Sequence, residues 1–316
     1  MKVLYTFHPP EKLKKEIETE YPGCRFEYFE SMQKASDFLP EAEVIVTFGE
    51  DMTDEHIKKA GKLRWIMVMS AGLELMPLKL IKEKGILVTN VKGIHAIPMA
   101  EFALGSMLQH AKQFPRIRKD ISQGLWEREA PSSELFGKTL LILGAGAIGS
   151  EIARLGKAFR MKVMGINTSG SKKAYFDEMH PLKEVKSILG TADYVIAVLP
   201  STMETRHLLK KEHFQCMKKS SVFINIGRGD LFESSTLIDA LQNNELAHAY
   251  LDVFEREPLE RDHPFWRMDK VTITPHLSSR TEYYLPRSFD IFKKNMTAYM
   301  NNENNYINKI HVERGY

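Results

Sequence analysis

Leu140-Leu141-Ile142-Leu143-Gly144-Ala145-Gly146-Ala147-Ile148-Gly149 reads as a buried strand that runs into a glycine loop and then a helix. Gly144 suits the tight turn after the strand, Gly146 lets the backbone come close to a ligand, and Gly149 lets the helix pack on the strand. Free N–H groups at the start of such a helix attract an anion, which makes the loop a candidate pyrophosphate cradle. Glycine turns also join strands to helices with no ligand at all, so the spacing is weak evidence until its surroundings agree. Here they do. Ile148, Ile152, Ala153, Leu155, Gly156 and Phe159 form an apolar face at helical spacing, and a second strand, Lys162-Val163-Met164-Gly165-Ile166, follows at once.

Outward from this stretch, short apolar runs alternate with amphipathic segments in both directions. That is the pattern of parallel sheets covered by helices, an α/β chain. Two sets of strands are expected. The first lies at 2–7, 24–29, 43–48, 65–68 and 86–88, the second at 139–143, 161–166, 193–198, 221–225, 247–251 and 271–273. Between them a long helical pattern begins near Pro98, a residue suited to a first helical turn, with Ala100, Ala103, Leu104, Met107, Leu108 and Ala111 on one face. Pro115 is expected to kink or break it. A long helix joining two sheets is a natural domain connector, which puts one boundary near residue 98. Asn301-Asn302-Glu303-Asn304-Asn305 reads as a surface turn.

Composition narrows the class. The chain has 316 residues, 43% of them hydrophobic, enough to bury two cores. A net charge of +3 from 44 basic and 41 acidic residues, with no basic block, argues against a nucleic-acid or anionic-membrane partner and leaves small acidic substrates open. Cys24 and Cys216 are too few for a disulfide framework and suit a reducing cytoplasm. The N-terminus reads as a first strand rather than a signal peptide, and no apolar run is long enough to span a bilayer.

Three further segments close strands of the second set with polar residues, where an open sheet places its ligand crevice. Val222-Phe223-Ile224-Asn225-Ile226-Gly227-Arg228-Gly229 sets an arginine between two glycines. Ala249-Tyr250-Leu251-Asp252-Val253-Phe254-Glu255-Arg256-Glu257-Pro258 ends in an acid-rich turn. Val271-Thr272-Ile273-Thr274-Pro275-His276-Leu277-Ser278-Ser279 puts a histidine after a proline. Taken singly, such a histidine is commonly a turn residue, such an arginine a surface charge, and Glu257 competes with Glu255 and Glu260.

In order along the chain, these segments resemble the D-isomer-specific 2-hydroxyacid dehydrogenase family, glyoxylate/hydroxypyruvate reductase-like members included. The resemblance covers nearly the whole chain. It rests on the loop and helix at 144–159, on Leu199-Pro200-Ser201-Thr202 with Thr205, on Asn-x-x-Arg-Gly at 225–229, on Asp-Val-Phe-x-x-Glu-Pro at 252–258 and on Thr-Pro-His at 274–276. It implies two Rossmann-like or flavodoxin-like domains with a cleft between them: a discontinuous substrate domain of residues 1–98 and 278–316, and a dinucleotide-binding domain of residues 99–277. It further implies hydride transfer between NAD(P)H and a small 2-keto acid to give the D-2-hydroxy acid.

That chemistry needs a cation for the carboxylate, a proton donor for the nascent alkoxide and a partner for the donor. Arg228 can clamp the carboxylate with its planar fork. His276 would give its proton to the carbonyl oxygen and recover it in oxidation, a step worth ~10²- to 10⁴-fold in rate. Glu257, on the other ring nitrogen, would orient the imidazole and favour its protonated form. The resemblance also implies the cofactor contacts: the glycine loop Gly144, Gly146, Ala147, Ile148 and Gly149 at the pyrophosphate, Thr205 near the adenosine side, Ile226 and Asp252 at the nicotinamide, with Pro200, Gly227 and Ser279 as further cofactor contacts.

At the end of the second strand of this set, NAD-preferring members carry an acid that grips the ribose hydroxyls. Here stand Asn167, Thr168 and Ser169, then Gly170, Ser171, Lys172 and Lys173. A carboxylate there would repel a 2′-phosphate by roughly 1 to 4 kcal/mol at 4 Å. Uncharged Asn167 with Thr168, Ser169 and Lys172 removes the repulsion, so NADP(H) is the expected preference, with NAD(H) still usable. A solvated polar loop that tolerates either cofactor is the plainer alternative.

For the substrate, Met69-Ser70-Ala71-Gly72-Leu73-Glu74 resembles the family's carboxylate-binding turn. Backbone N–H groups at Ala71 and Gly72 would hold one oxygen, Ser70 would line the turn and Leu73 would shape the pocket, while Glu74 replaces a more usual Asp. His95 and Met99 are expected near the cleft, and Trp266 in the core rather than at the pocket. The remaining histidines suggest no metal cluster. A homodimer through the nucleotide domain is the implied assembly. Two other readings share the fold: the formate-oxidising branch, which has Gln where this chain has Glu257, and a nucleotide-sensing regulatory protein with little turnover, which would show a weakened triad or partner-binding extensions.

Overall fold

The central strands of each sheet are buried along their whole length, as in Val44–Thr47, Trp65–Val68, Tyr194–Ala197 and Val222–Asn225, which is what parallel sheets wrapped by helices require. The computed structural model describes residues 1–70, 72–73, 75–129 and 131–310. It divides into two compact units, Met1–Ile94 with Thr281–Tyr316, and His95–Arg280.

In the first unit, β1 (Lys2–Tyr5), β2 (Arg25–Tyr28), β3 (Val44–Thr47), β4 (Trp65–Val68) and β5 (Leu87–Asn90) form a parallel sheet of order β2-β1-β3-β4-β5. The C-terminal helix Tyr284–Met300 belongs here because Phe289, Phe292 and Met296 bury into an aromatic core. Trp65 stacks on Phe292 and Tyr299 at 5.4 and 5.5 Å. Beyond it the amide of Ile310 donates to the Val88 carbonyl and that of Asn90 to Asn308, which covers the β5 edge. The stretch at 301–305 is an exposed turn, as its asparagines suggest.

The second unit carries β6 (Thr139–Leu143), β7 (Lys162–Asn167), β8 (Glu178–Pro181), β9 (Tyr194–Ala197), β10 (Val222–Asn225), β11 (His248–Leu251) and β12 (Val271–Ile273). Every neighbouring pair is parallel, in the order β12-β11-β10-β9-β6-β7-β8. The order reverses at β6, so the glycine loop leaves the sheet at a topological switch point, where open α/β sheets bind ligands. All eleven expected strands are present within a few residues. The twelfth, β8, has no apolar run to mark it in the sequence: Glu-Met-His-Pro is a half-exposed edge segment with no alternation to read.

The connecting helix runs Ala96–Ala111 and buries Ala100, Ala103 and Met107 against the second sheet. Pro115 breaks the helical pattern. Gln113 adopts a left-handed φ of 55°, and a second helix, Phe114–Ser122, starts with the proline in its first turn.

Candidate active site

The glycine loop has separate steric reasons for its glycines. Gly144 sits at φ +111°, and a β-carbon there would lie 2.8 Å from the Val198 carbonyl oxygen. One at Gly149 would fall 1.9 Å from the carbonyl oxygen of Gly144, so the helix Ala147–Ala158 can approach the turn only without a side chain at that position. At Gly146 a β-carbon would meet nothing within 4 Å. The open side of the turn is therefore at Gly146, the N-cap of a twelve-residue helix with no capping side chain. This open turn beside the first amides of Ala147 and Ile148 fits a dinucleotide pyrophosphate.

Past the ends of β10, β11 and β12, three loops are held together by their own backbones. Asn225 is fully buried; its Oδ1 accepts from the Gly227 amide at 3.1 Å and its Nδ2 donates to the Arg228 carbonyl at 3.0 Å, which closes the turn that presents Arg228. Gly227 presses on Leu199, whose carbonyl oxygen would be 2.8 Å from an added β-carbon. Gly229 lies so close to the next loop that its β-carbon would stand 1.9 Å from the Phe254 carbonyl carbon. Only glycine allows that contact, and the contact carries the arginine turn to the acid-rich turn.

Glu257 is fixed at both oxygens. Oε1 accepts from the Phe254 amide at 3.0 Å, and Oε2 lies 2.7 Å from His276 Nδ1. The two competing acids are engaged elsewhere: Glu255 accepts from the Ser234 amide and hydroxyl, both at 2.7 Å, and Glu260 pairs with Arg256 at 3.2 Å. His276 itself takes a left-handed φ of 51°, uncommon for a residue with a side chain. It is held there by Asp252, 1% exposed, whose carboxylate accepts from Thr274 Oγ1 at 2.6 Å, Leu277 N at 3.0 Å and Ser278 N at 2.9 Å. The His276 amide donates to the Asp252 carbonyl. Arg228, Glu257 and His276 line one cavity of about 340 Å³, together with Ser201, Arg206, Asp230 and Glu255. With Nδ1 on Glu257, the other ring nitrogen of His276 is left for a ligand.

A second cavity of about 470 Å³ shares Phe254, Glu257 and His276 but is otherwise apolar, walled by Pro258, Leu259, Trp266, Ile273 and Pro275. Trp266 is 53% exposed, with its indole N–H on the Glu260 carbonyl at 2.9 Å. The expectation of a core tryptophan is thereby corrected: the turn at 264–267 buries Phe265 and turns Trp266 outward.

Several expected contact residues are engaged within their own loops. Asn167 Oδ1 accepts from the amides of Ser169, Gly170 and Ser171, at 3.1, 2.6 and 3.2 Å, and its Nδ2 donates to the Ser171 carbonyl. Its side chain organises the loop, while Thr168, Ser169 and Lys172 stay exposed. Thr205, 6% exposed, donates to the Pro200 carbonyl at 2.6 Å and accepts from the Thr202 amide at 2.8 Å. Ile226 is buried in the sheet core. Ser279, half-buried, contributes its backbone as a hydrogen-bond partner of His95. Burial, and to a smaller extent the Arg228 guanidinium, hold the His95 imidazole below its ordinary range against that hydrogen bond. His95 therefore stands near Arg228, a placement its sequence neighbours do not signal. Met99 is buried in the helix core.

In the first unit, Ser70 Oγ donates to the carbonyls of Phe48 and Gly72, each at 3.0 Å, and Gly72 is exposed. Leu73, expected to shape a pocket, is 5% exposed and belongs to the core cluster that holds Val68 and Met76, because burying an isobutyl side chain is favoured over leaving it in water. Ala71 and Glu74 lie outside the described residues. Among the described residues no group of three or more His, Cys, Asp or Glu could hold a metal, and no helix is long and apolar enough to cross a membrane.

The family profile described as "D-isomer specific 2-hydroxyacid dehydrogenase, NAD binding domain" matches residues 104–278, the segment that contains the glycine loop and the loops carrying Arg228, Glu257 and His276. The chain belongs to the D-isomer-specific 2-hydroxyacid dehydrogenase family. A glyoxylate reductase of Aeropyrum pernix is 31% identical over 268 residues, which cover 82% of this chain and 80% of that protein. A D-3-phosphoglycerate dehydrogenase of Methanocaldococcus jannaschii is 33% identical over 77% of this chain but only 47% of its own length. The chain thus spans about half of that relative. Among solved structures, a D-isomer specific 2-hydroxyacid dehydrogenase family protein from Aeromonas salmonicida has 32% identity and a TM-score of 0.84, covering 98% of each chain.

Proposed function

We propose that this family member is an NAD(P)H-dependent reductase of small 2-keto acids that forms the D-2-hydroxy acid. The observation that carries the reading is the 2.7 Å contact of His276 Nδ1 with Glu257 on a cavity that Arg228 also lines. Bound at the glycine loop, the nicotinamide cofactor supplies the hydride. Arg228 holds the substrate carboxylate through paired charge-assisted hydrogen bonds. His276 donates the proton from Nε2 to the carbonyl oxygen as negative charge develops there, and Glu257 balances the charge of the imidazolium and fixes its ring. The apolar cavity beside the imidazole is suited to the substrate's side chain, with Trp266 and Leu259 as its walls.

NADP(H) is the proposed preference, with NAD(H) as the poorer partner. It is supported by the lack of an acid from Asn167 to Lys173. Homodimer formation is proposed through the second unit. It is supported by Phe114, Ile117, Ile121, Leu125 and Trp126, all at least 40% exposed on and just after the helix Phe114–Ser122. Cys24 and Cys216 are unpaired, which agrees with a cytoplasmic location.

A panel of 2-keto acids assayed with NADPH and NADH tests the reading. Turnover is expected, and Arg228→Ala, Glu257→Gln and His276→Ala should each lower kcat/KM about ten-fold or more. Background rates with every acid, together with tight dinucleotide binding, would replace the enzyme with a nucleotide sensor.

A further inference from the structure

The ends of β7 and β8 form a second polar corner, distinct from the reacting one. Asn167 pairs with Pro181 in the sheet register, so the loop after β7 leaves beside the segment after β8. Gly170, at φ +74°, presses that loop onto Pro181: an added β-carbon would lie 2.9 Å from its Cδ and 3.0 Å from its nitrogen. A cavity of about 590 Å³ opens there, lined by Thr168, Ser169, Pro181, Leu182, Lys183 and Leu208. Its apolar lining comes from Pro181, Leu182 and Leu208. Its polar groups are two hydroxyls on one loop and one ammonium on the other.

Asn167 Oδ1 already takes the amides of Ser169, Gly170 and Ser171, so the loop has few backbone donors left for an anion. The charge must come from a side chain. Lys172 and Lys173, next in sequence, are exposed and do not line this cavity. Lys183 does, and it makes no ion pair among the described residues; the neighbouring Glu184 is turned to His180 Nδ1 at 3.3 Å. Lys183 also lines a neighbouring cavity of about 560 Å³ with Glu184, Lys186, Ser187, Gly190 and Cys216.

We propose that Lys183, reaching in from the segment after β8, is the cationic contact for a ribose 2′-phosphate whose hydroxyl partners are Thr168 and Ser169. This rests on the NADP(H) reading above and assigns its selectivity to a residue sixteen positions after Asn167, where an acid would sit. A compact ammonium suits a phosphate as a point charge, and a single such contact shifts affinity about ten-fold.

The test is calorimetric titration of the whole protein with adenosine 2′,5′-bisphosphate and with 5′-AMP, which differ only in the 2′-phosphate. The wild type should bind the bisphosphate at least about ten-fold more tightly. Lys183→Met should remove most of that difference, leave 5′-AMP within about two-fold, and flatten the salt dependence of bisphosphate binding; Lys186→Met, at an exposed lysine outside this cavity, should change little. Lys183 is exposed, so an unchanged melting temperature is expected to accompany the loss. Discrimination that survives Lys183→Met overturns the assignment and leaves the NADP(H) preference standing. Equal weakening of both nucleotides also overturns it. A wild type that binds the two nucleotides alike overturns the preference itself, and the assignment with it.

Discussion

Asp252 shows what one buried carboxylate does for a neighbour it does not touch by side chain. Three donors from the Thr274–Ser278 stretch converge on it, and the backbone of His276 closes the set. A buried carboxylate with three charge-assisted hydrogen bonds is expensive to remove, because the donors are left without partners. Asp252→Ala is expected to cost about 2–4 kcal/mol in urea unfolding and to lower kcat about ten-fold or more, with the KM for the dinucleotide changed less than about three-fold. A variant that keeps its full kcat would show that His276 needs no such support. Sequence order alone did not separate Asp252 as a cofactor contact from Asp252 as a positioning residue, since its partners are backbone amides that every residue type carries.

At the scale of elements, the end of the second sheet opposite the site holds a histidine pair between β11, β12 and the helix Ala96–Ala111. His248 contacts Thr272 Oγ1 at 2.9 Å, and its ring lies 4.8 Å from Tyr250 and 5.6 Å from His110. Burial pushes the His248 pKa down to about 4, with His110 adding to the shift, and burial lowers His110 as well. An imidazole harder to protonate in the folded chain than in the unfolded one gives stability that is complete above its ordinary pKa near 6.5. That stability is lost as pH falls from there toward about 4, because the unfolded chain then binds more protons. The loss is on the order of 3 kcal/mol. Thermal unfolding followed from pH 7 to 4.5 should show it, and His248→Gln should flatten the slope. An unchanged slope would mean that His248 is protonated without cost in the native fold. Strand positions were readable from apolar runs, whereas the glycine contacts that bring β10, β11 and β12 loops together were readable only as motifs, because the clash that makes Gly229 obligatory is with Phe254 across the fold.

For the whole molecule, the exposed stripe Phe114, Ile117 and Ile121, continued by Leu125 and Trp126, is the feature a monomer leaves unexplained. The residues recur at helical spacing on a helix with no buried residue. Sedimentation should find the wild type well above the 36.3 kDa of one chain, and Ile121→Glu should shift it toward that mass with the secondary structure unchanged. A wild type that sediments as one chain at assay concentration would remove the homodimer.

The sequence by itself determined eleven strands, the break at Pro115, the family, and the candidate trio Arg228, Glu257 and His276. These are local or ordered signals: apolar periodicity, a proline that cannot continue a helix, glycines at fixed spacing. Only the tertiary structure showed Glu257 against His276 with Glu255 and Glu260 engaged elsewhere, turned Leu73 inward and Trp266 outward, engaged Asn167 within its own loop and brought Lys183 to the end of β7. Those outcomes depend on which backbone amides and which empty volumes lie within about 3 Å once distant segments meet, and hydrogen-bond geometry at that range leaves no trace in linear order.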